Sequence, residues 1–304
     1  MALLSIIAAK HGAPIFTAEI SPPRLYLEID RIVGIARRLR ALGLDAIAVT
    51  NSTGGSYKFS PWAIVEDIQR AMGHVPLIIH LTARDEGSAR SVYYHLHEMS
   101  LKGVRDVLII RGDPSPGNSK VLDSYRFTTS ELVNMVAGYR SGTLLDGSRC
   151  EPLPNLDVFV AAHPEFPERA LDKHFGFLRR KIDAGANGLI ANIVTDTDAF
   201  FRYRDRAQTA GIEPPIIPSL LPLNSLRRCE FLAEQLHIGV PAAMIEKLRG
   251  ADRDDAQRLA HDDLISKLHR LVARGAPGVN FNIVVPSDAE AVVEAVNAFR
   301  GAGS

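Results

Sequence analysis

Short apolar runs recur along the whole chain, at Pro14–Ile20, Asp45–Thr50, Val75–Leu81, Asp106–Arg111, Asp157–Ala162, Gly188–Val194, Pro215–Leu220 and Val279–Val285. Several are nearly continuous in Val, Ile, Leu and Ala, which suits parallel strands buried on both faces better than the alternation of a half-solvated antiparallel sheet. Helical spacing fills the intervals. Leu25, Ile29, Ile32, Ala36 and Leu39 step by four and three, as do Leu171, Phe175, Leu178 and Ile182, so each set marks a helix face that packs on the sheet. The approach to a strand is also punctuated alike, at Gly43-Leu44-Asp45, Gly103-Val104-Arg105, Gly185-Ala186-Asn187, Gly211-Ile212 and Gly275-Ala276. Glycine just past a helix end supplies the left-handed turn that feeds the next parallel strand.

Eight strands alternating with helices predict an α/β fold, the (β/α)8 TIM barrel, over residues 1–304 as a single domain. An open doubly wound sheet is the alternative, but it usually manages with five or six strands, and no GxGxxG follows the first strand. Gly142–Pro154 reads as a longer loop.

Composition narrows the partners. The 304 residues are 46% hydrophobic, enough for one large core, and Lys plus Arg and Asp plus Glu both number 35. A net charge of zero gives no electrostatic reason to expect nucleic acid or an anionic membrane, which leaves a small-molecule ligand. Cys150 and Cys229 stand outside any CxxC pair, so neither a disulfide framework nor a thiolate metal site is expected, and the cytoplasm is the expected compartment. The apolar run Ala2–Ala9 is too short for a membrane span and lacks the preceding positive charge of a secretory signal.

In an α/β barrel, functional groups gather where strands end and βα loops begin. Those positions hold Glu19, Thr50 and Asn51, His80 and Thr82, Arg111-Gly112-Asp113, His163 and Asn192. Any one of them could simply be the polar exit of a strand; several on one rim make a catalytic mouth. Glu19 lies in an apolar strand closed by Pro22 and Pro23, where desolvation should raise its pKa and make it a general acid near neutral pH. The alternative is a structural pair with Arg24 or a neighbouring Lys. Asp113 precedes Pro114-Ser115-Pro116-Gly117, so capping that turn is its alternative role.

These segments carry a resemblance. Phe16 through Arg24 is similar to the first-strand motif of methylenetetrahydrofolate reductases, with its apolar-Glu-x-x-Pro-Pro-Arg core. His80-Leu81-Thr82, Leu108 through Gly117, Ala161-Ala162-His163-Pro164-Glu165, Arg180 through Asn187 and Ile216 through Pro222 resemble five further motifs of that family, in the same order.

The resemblance implies FAD at the C-terminal rim, with NAD(P)H and a one-carbon tetrahydrofolate using it in turn, in one-carbon metabolism that serves methionine biosynthesis, and a homo-oligomeric protein. Thr50, Asn51, His80, Arg111, Gly112, Asp113, Ala162, His163, Arg180 and Lys181 would hold the cofactor. Glu19 would be the general acid, Asp113 the carboxylate between flavin and pterin, and Asn192 a pterin contact. Arg180 and Lys181 would meet the cofactor's phosphates; a solvated helix face is their alternative. The chain departs from the family pattern in having Asn192 where Gln is common, and His174 and Phe177 where polar residues reach the dinucleotide, which predicts weakly held FAD. Leu223-Asn224-Ser225-Leu226 lacks a frequent Phe, and Val285-Pro286-Ser287 lacks an Arg sometimes present. The same barrel run oxidatively on 5-methyltetrahydrofolate, a folate-dependent methyltransferase-like barrel, and a non-catalytic binding barrel are the alternatives.

Overall fold

The computed structural model describes residues 2–73, 75–114, 125–153 and 156–301. Ser115-Pro116-Gly117 of the fourth-strand motif and Pro154 of the expected loop lie outside them. Eight parallel strands, β1 (Ile15–Ile20), β2 (Ala46–Val49), β3 (Leu77–Thr82), β4 (Asp106–Ile110), β5 (Asp157–Ala162), β6 (Gly188–Ile193), β7 (Ile216–Leu220) and β8 (Gly278–Ile283), pair in sequence order. β8 closes onto β1. The chain is thus a (β/α)8 barrel, and each strand falls within about two residues of its expected span.

Helices α2 (Ile29–Arg40), α3 (Pro61–Met72), α4 (Ala89–Leu101), α5 (Thr129–Arg140), α6 (Glu168–Asp183) and α7 (Thr197–Thr209) follow β1 to β6 in turn. Between β7 and β8 come α8 (Leu226–Gln235), α9 (Ala242–Arg249) and α10 (Arg253–Ala273), and α11 (Pro286–Gly301) ends the order. The five punctuating glycines all have positive φ. One expectation of the periodicity fails. Leu25 does not join the α2 stripe; it is exposed, because the Glu28 carboxylate accepts the N–H groups of Arg24 and Leu25 and tightens Tyr26–Glu28 into a 3-10 turn.

Strand alternation sorts side chains into two cores. Outward residues such as Phe16, Val49, Ile109 and Ala162 pack under the helices. Inward residues Ile15, Ala48, Ile78, Leu108, Phe159 and Ile190 fill the barrel. Gly188 is part of that filling, since a Cβ there would meet the Phe159 ring at 2.3 Å.

Helix α1 (Leu3–Ala9), formed by the N-terminal apolar run, closes the bottom of the barrel with the fully buried Leu3. Its first N–H groups, which have no partner within the helix, are capped from inside: Leu3 donates to Asp106 Oδ1 at 2.8 Å and Leu4 to Asp157 Oδ2 at 3.2 Å. Burial raises the Asp106 pKa to about 7; the Leu3 N–H opposes this and the charge of Asp157 adds to it. An acid whose folded pKa lies above its unfolded value of roughly 3.9 binds more protons folded, so stability declines as pH rises between the two, by at most about 1.4 kcal/mol per pH unit. Asp106→Asn keeps an acceptor for Leu3 and removes the charge. Its melting temperature relative to the parent should climb steadily from pH 4 to pH 7; a constant offset would show that Asp106 does not titrate there.

Candidate active site

The C-terminal ends of the strands gather the candidate residues into distinct groups. The register sets Glu19 against Asn282 and Thr17 against Asn280 across the β1–β8 seam, and Asn280 against Ser219 across β7–β8. Thr17 donates to Asn280 Oδ1 at 2.9 Å and Asn280 Nδ2 donates to Ser219 at 3.1 Å, forming a buried polar layer above the apolar filling. Glu19 sits on that layer with 19% of its side chain exposed. Burial lifts its pKa to about 7, against hydrogen bonds from Asn282 and Asn280 and the charge of Lys58. His80 Nε2 lies 3.7 Å from Glu19 Oε2. That contact is neither a hydrogen bond nor an ion pair, because burial lowers the His80 pKa to about 3 and the ring is neutral. Nε2 is buried without a partner among the described residues.

The second group links the ends of β2, β3 and β4. Thr50 shares hydrogen bonds with Ser21 at 2.7 Å and Thr53 at 2.9 Å. Asn51 Nδ2 donates to Thr82 at 3.0 Å, and Thr82 donates to Asp85 at 2.5 Å. Arg84, its side chain buried, grips Asp85 with two hydrogen bonds and spends a third nitrogen on the main-chain oxygens of Asp113 and Ser52. Ser52 is in the left-handed region at φ 48°, a strained conformation for a serine that these bonds hold. The Asp113 carboxylate accepts the Gly54 N–H at 2.7 Å, so it caps the β2 loop. Gly112 lies at φ 83°, and a Cβ there would meet the Cβ atoms of Thr82 and Arg84 at 3.2 Å. Only glycine brings the main chain this near β3. Arg111 is exposed and rests over the Tyr125 ring.

The third group lies past β5 and β6. His163 Nδ1 and Asn192 Nδ2 both meet Glu165 Oε1, at 2.8 and 2.9 Å. Burial alone would raise the Glu165 pKa, but the bonds and charge of His163 and the bond from Asn192 outweigh it and keep the acid ionised. Asn192 Oδ1 accepts the N–H of Ile193 at 2.9 Å, which leaves one Nδ2 hydrogen for the mouth. Ala162 has its side chain fully buried under the helices, so it can meet a ligand only through its main chain.

Arg180 and Lys181 stand apart from the rim. Lys181 is 13 residues past the first residue of α6, about 20 Å down the helix at 1.5 Å per residue. His174, Phe177 and Lys181 share one face of α6 at helical spacing. His174 is buried, meets the Tyr203 hydroxyl at 2.7 Å, and has a pKa lowered to about 4 by burial and the charges of His163 and Lys181. Phe177 is exposed with Arg180 over its ring. Burial lowers the Lys181 pKa, and no carboxylate pairs with it among the described residues. Asn280, Asn282 and Glu165 escape a reading of strand ends alone; counting every second residue along β8 would have found the first two. Among the described residues no helix is long and apolar enough to cross a membrane.

Comparison with known proteins adds four findings. A family model described as methylenetetrahydrofolate reductase matches residues 4–296. The 5,10-methylenetetrahydrofolate reductase of Escherichia coli K12 is 25% identical over 276 residues, covering 90% of this chain and 86% of that one. A probable methylenetetrahydrofolate reductase (NADH) of rice is 26% identical over 253 residues, covering 78% of this chain and 40% of that protein. Among solved structures, a Clostridium thermocellum protein described as binding two copies of 5-methyl-5,6,7,8-tetrahydrofolic acid superposes with a TM-score of 0.67 at 17% identity, over 99% of this chain and 100% of that one, which is a likeness of fold.

The Asn282 side chain is a direct handle on the acid. Asn282→Leu removes a bond that favours the Glu19 carboxylate, so the Glu19 pKa should rise further in a carbon-13 carboxyl titration. A pKa that stays put or falls would show that Asn282 does not hold the charged form.

Proposed function

Because the chain belongs to the methylenetetrahydrofolate reductase family, we propose that it passes hydride from NAD(P)H through FAD to 5,10-methylenetetrahydrofolate, giving 5-methyltetrahydrofolate. The observation that carries this reading is Glu19, a carboxyl held at the barrel mouth with a pKa near 7, where it can donate a proton at neutral pH. The residues present suit the cofactor. Gly112 offers bare main chain beside Thr82, and among the described residues His80 offers a neutral ring nitrogen with no other partner and Lys181 a half-buried ammonium without a pairing carboxylate. Thr50, Asn51, Arg111, Gly112, Asp113, the Ala162 main chain and His163 would line the flavin end. Arg180 and Lys181 would hold the phosphates, which requires the dinucleotide to extend down α6. FAD, when bound, would supply the hydride carrier between the nicotinamide and the folate.

The protein's own task is to make the folate carbon electrophilic. Glu19 gives its proton to N10 of the folate as the bond from N10 to the bridging carbon breaks, and the positive charge moves onto N5 and that carbon. Asp113, tied to Gly54, lends a fixed negative charge to that cation. The remaining hydrogen of Asn192 donates to the pterin, and Glu165 keeps that amide oriented. A carboxyl with a pKa near 7 serves as base as readily as acid, and this favours the reverse oxidation of 5-methyltetrahydrofolate as the second reading. The cytoplasm and a homo-oligomeric state belong to the same proposal.

Glu19→Gln should leave flavin binding and reduction by NAD(P)H intact and slow the folate half-reaction by about 10²–10⁴. Parallel loss of flavin, stability and both half-reactions would make Glu19 structural. Lys181→Met should weaken FAD by about tenfold in an equilibrium titration of the apoprotein, and unchanged affinity would remove Lys181 from the cofactor site.

A further inference from the structure

Asn192 is aimed by its hydrogen bonds and not by the pleat of its strand. The pairing of β6 with β7 slips between Ile190 and Ile193, where three steps along β6 match two along β7, so Asn192 lies in a bulge. Its Oδ1 accepts the Ile193 N–H inside that bulge, and its Nδ2 donates to Glu165 Oε1 at 2.9 Å. Glu165 is thus the residue that turns the amide toward the mouth. The carboxylate is itself held through a single oxygen, because Oε1 also meets His163 Nδ1 at 2.8 Å while Oε2 is buried with no partner among the described residues. Wherever the turn from His163 to Glu165 sits, the amide must follow.

That turn is fixed from behind. It closes on itself through the Phe166 N–H, which donates to the His163 carbonyl at 3.2 Å, and α6 then starts without a side-chain cap. The His163 ring stacks on Phe166 at 5.0 Å and 12°, and both rings meet His174 edge-on, at 5.5 and 5.0 Å. Tyr203 reaches the same place from α7, with its hydroxyl 2.7 Å from His174 Nε2. Burial raises the Tyr203 pKa, and a bond from the His163 main chain works against the rise. A bond that favours the phenolate must donate to the phenol oxygen, so the His163 N–H is the donor. The Tyr203 O–H is then left for His174 Nε2, which accepts because a ring with a pKa of about 4 is neutral at pH 7. A buried hydroxyl satisfied on both sides keeps one orientation and makes a fixed post for the turn.

Resting on the folate reading of the site, we propose that Tyr203 is a positioning residue for the pterin: with His174, and through the turn from His163 to Glu165, it sets where the Asn192 amide points. The departures from the family pattern at His174 and Asn192 then belong together. An amide one methylene shorter reaches less far past its strand, so it depends more on the carboxylate beside it and on whatever fixes that carboxylate. His174 supplies the acceptor that holds the Tyr203 hydroxyl in place.

A double-mutant cycle separates this role from general support of the fold. Affinity for 5-methyltetrahydrofolate is read by calorimetric titration of the full chain with its FAD held reduced under anaerobic conditions, so that no hydride moves. Tyr203→Phe keeps the ring contact with Phe175, 5.3 Å away, and removes only the hydroxyl. It should loosen binding about fivefold, the usual contribution of one hydrogen bond, and Asn192→Ala should loosen it by at least as much. Added to Asn192→Ala, Tyr203→Phe should cost nothing further, since the amide through which it acts is gone. A hydroxyl that merely supports the fold would instead cost the same factor in both backgrounds, and that result would overturn the proposal. Parental affinity in Tyr203→Phe or in Asn192→Ala would overturn it as well, each leaving the folate reading standing. Failure of the unaltered protein to bind 5-methyltetrahydrofolate would overturn the folate reading, and the proposal with it.

Discussion

Closing eight parallel strands into a barrel forces every second side chain inward, and the inward positions must be filled in layers or left to carry function. Along β1 that sequence is Ile15, Thr17, Glu19: an apolar layer, a hydrogen-bonded layer, then the acid. β8 answers with Gly278, Asn280 and Asn282, and the seam register fixes which amide meets which β1 residue. The chemistry of the mouth thus depends on how the bottom is packed. Were Leu3 and Phe159 not to fill the interior, water beneath the polar layer would solvate Glu19 and return its pKa toward an ordinary carboxyl value.

Two acids of the barrel interior, Asp106 and Glu19, follow one rule at opposite ends. Asp106 is raised by burial at the base and Glu19 by burial at the mouth, each held from rising further by neighbouring N–H donors. At the base the consequence is a cap for a helix; at the mouth it is a proton that can be given away. Glu165 shows the contrast. It is as buried as these two, yet His163 and Asn192 crowd one of its oxygens with donors and keep it ionised. A fixed anion of that kind orients an amide and does not exchange protons with a substrate.

Much of this was legible in the chain because it rests on local rules. The five glycine turns and the eight apolar runs each follow from residues near in sequence, and the apolar strand around Glu19 already points to the direction of its pKa. What escaped depends on closure. Nothing near Glu19 in sequence says that Asn282 lies beside it, since that pairing joins the first strand to the last. The partnership of Asn192 with Glu165 was hidden for a similar reason, as it crosses from β6 to the end of β5. Leu25 fits the helical period but was claimed by the Glu28 turn, and Ala162 has the outward phase of β5, so its side chain belongs to the helix layer. Arg180 and Lys181, grouped with the rim residues by the family resemblance alone, stand apart from them because a helix leads away from the strand end at which it starts.

The account turns on one state, a protonated Glu19 at neutral pH. Its pKa of about 7 means that the acid form is lost as pH rises through that value. Anaerobic stopped-flow measurement of the folate half-reaction from pH 5.5 to 9 tests this directly. The rate of 5,10-methylenetetrahydrofolate reduction should be level below pH 7 and fall about tenfold per pH unit above it, whereas the nicotinamide half-reaction should show no break there. A folate half-reaction that stays level to pH 9, or that breaks near the pKa of an ordinary carboxyl, would contradict the account.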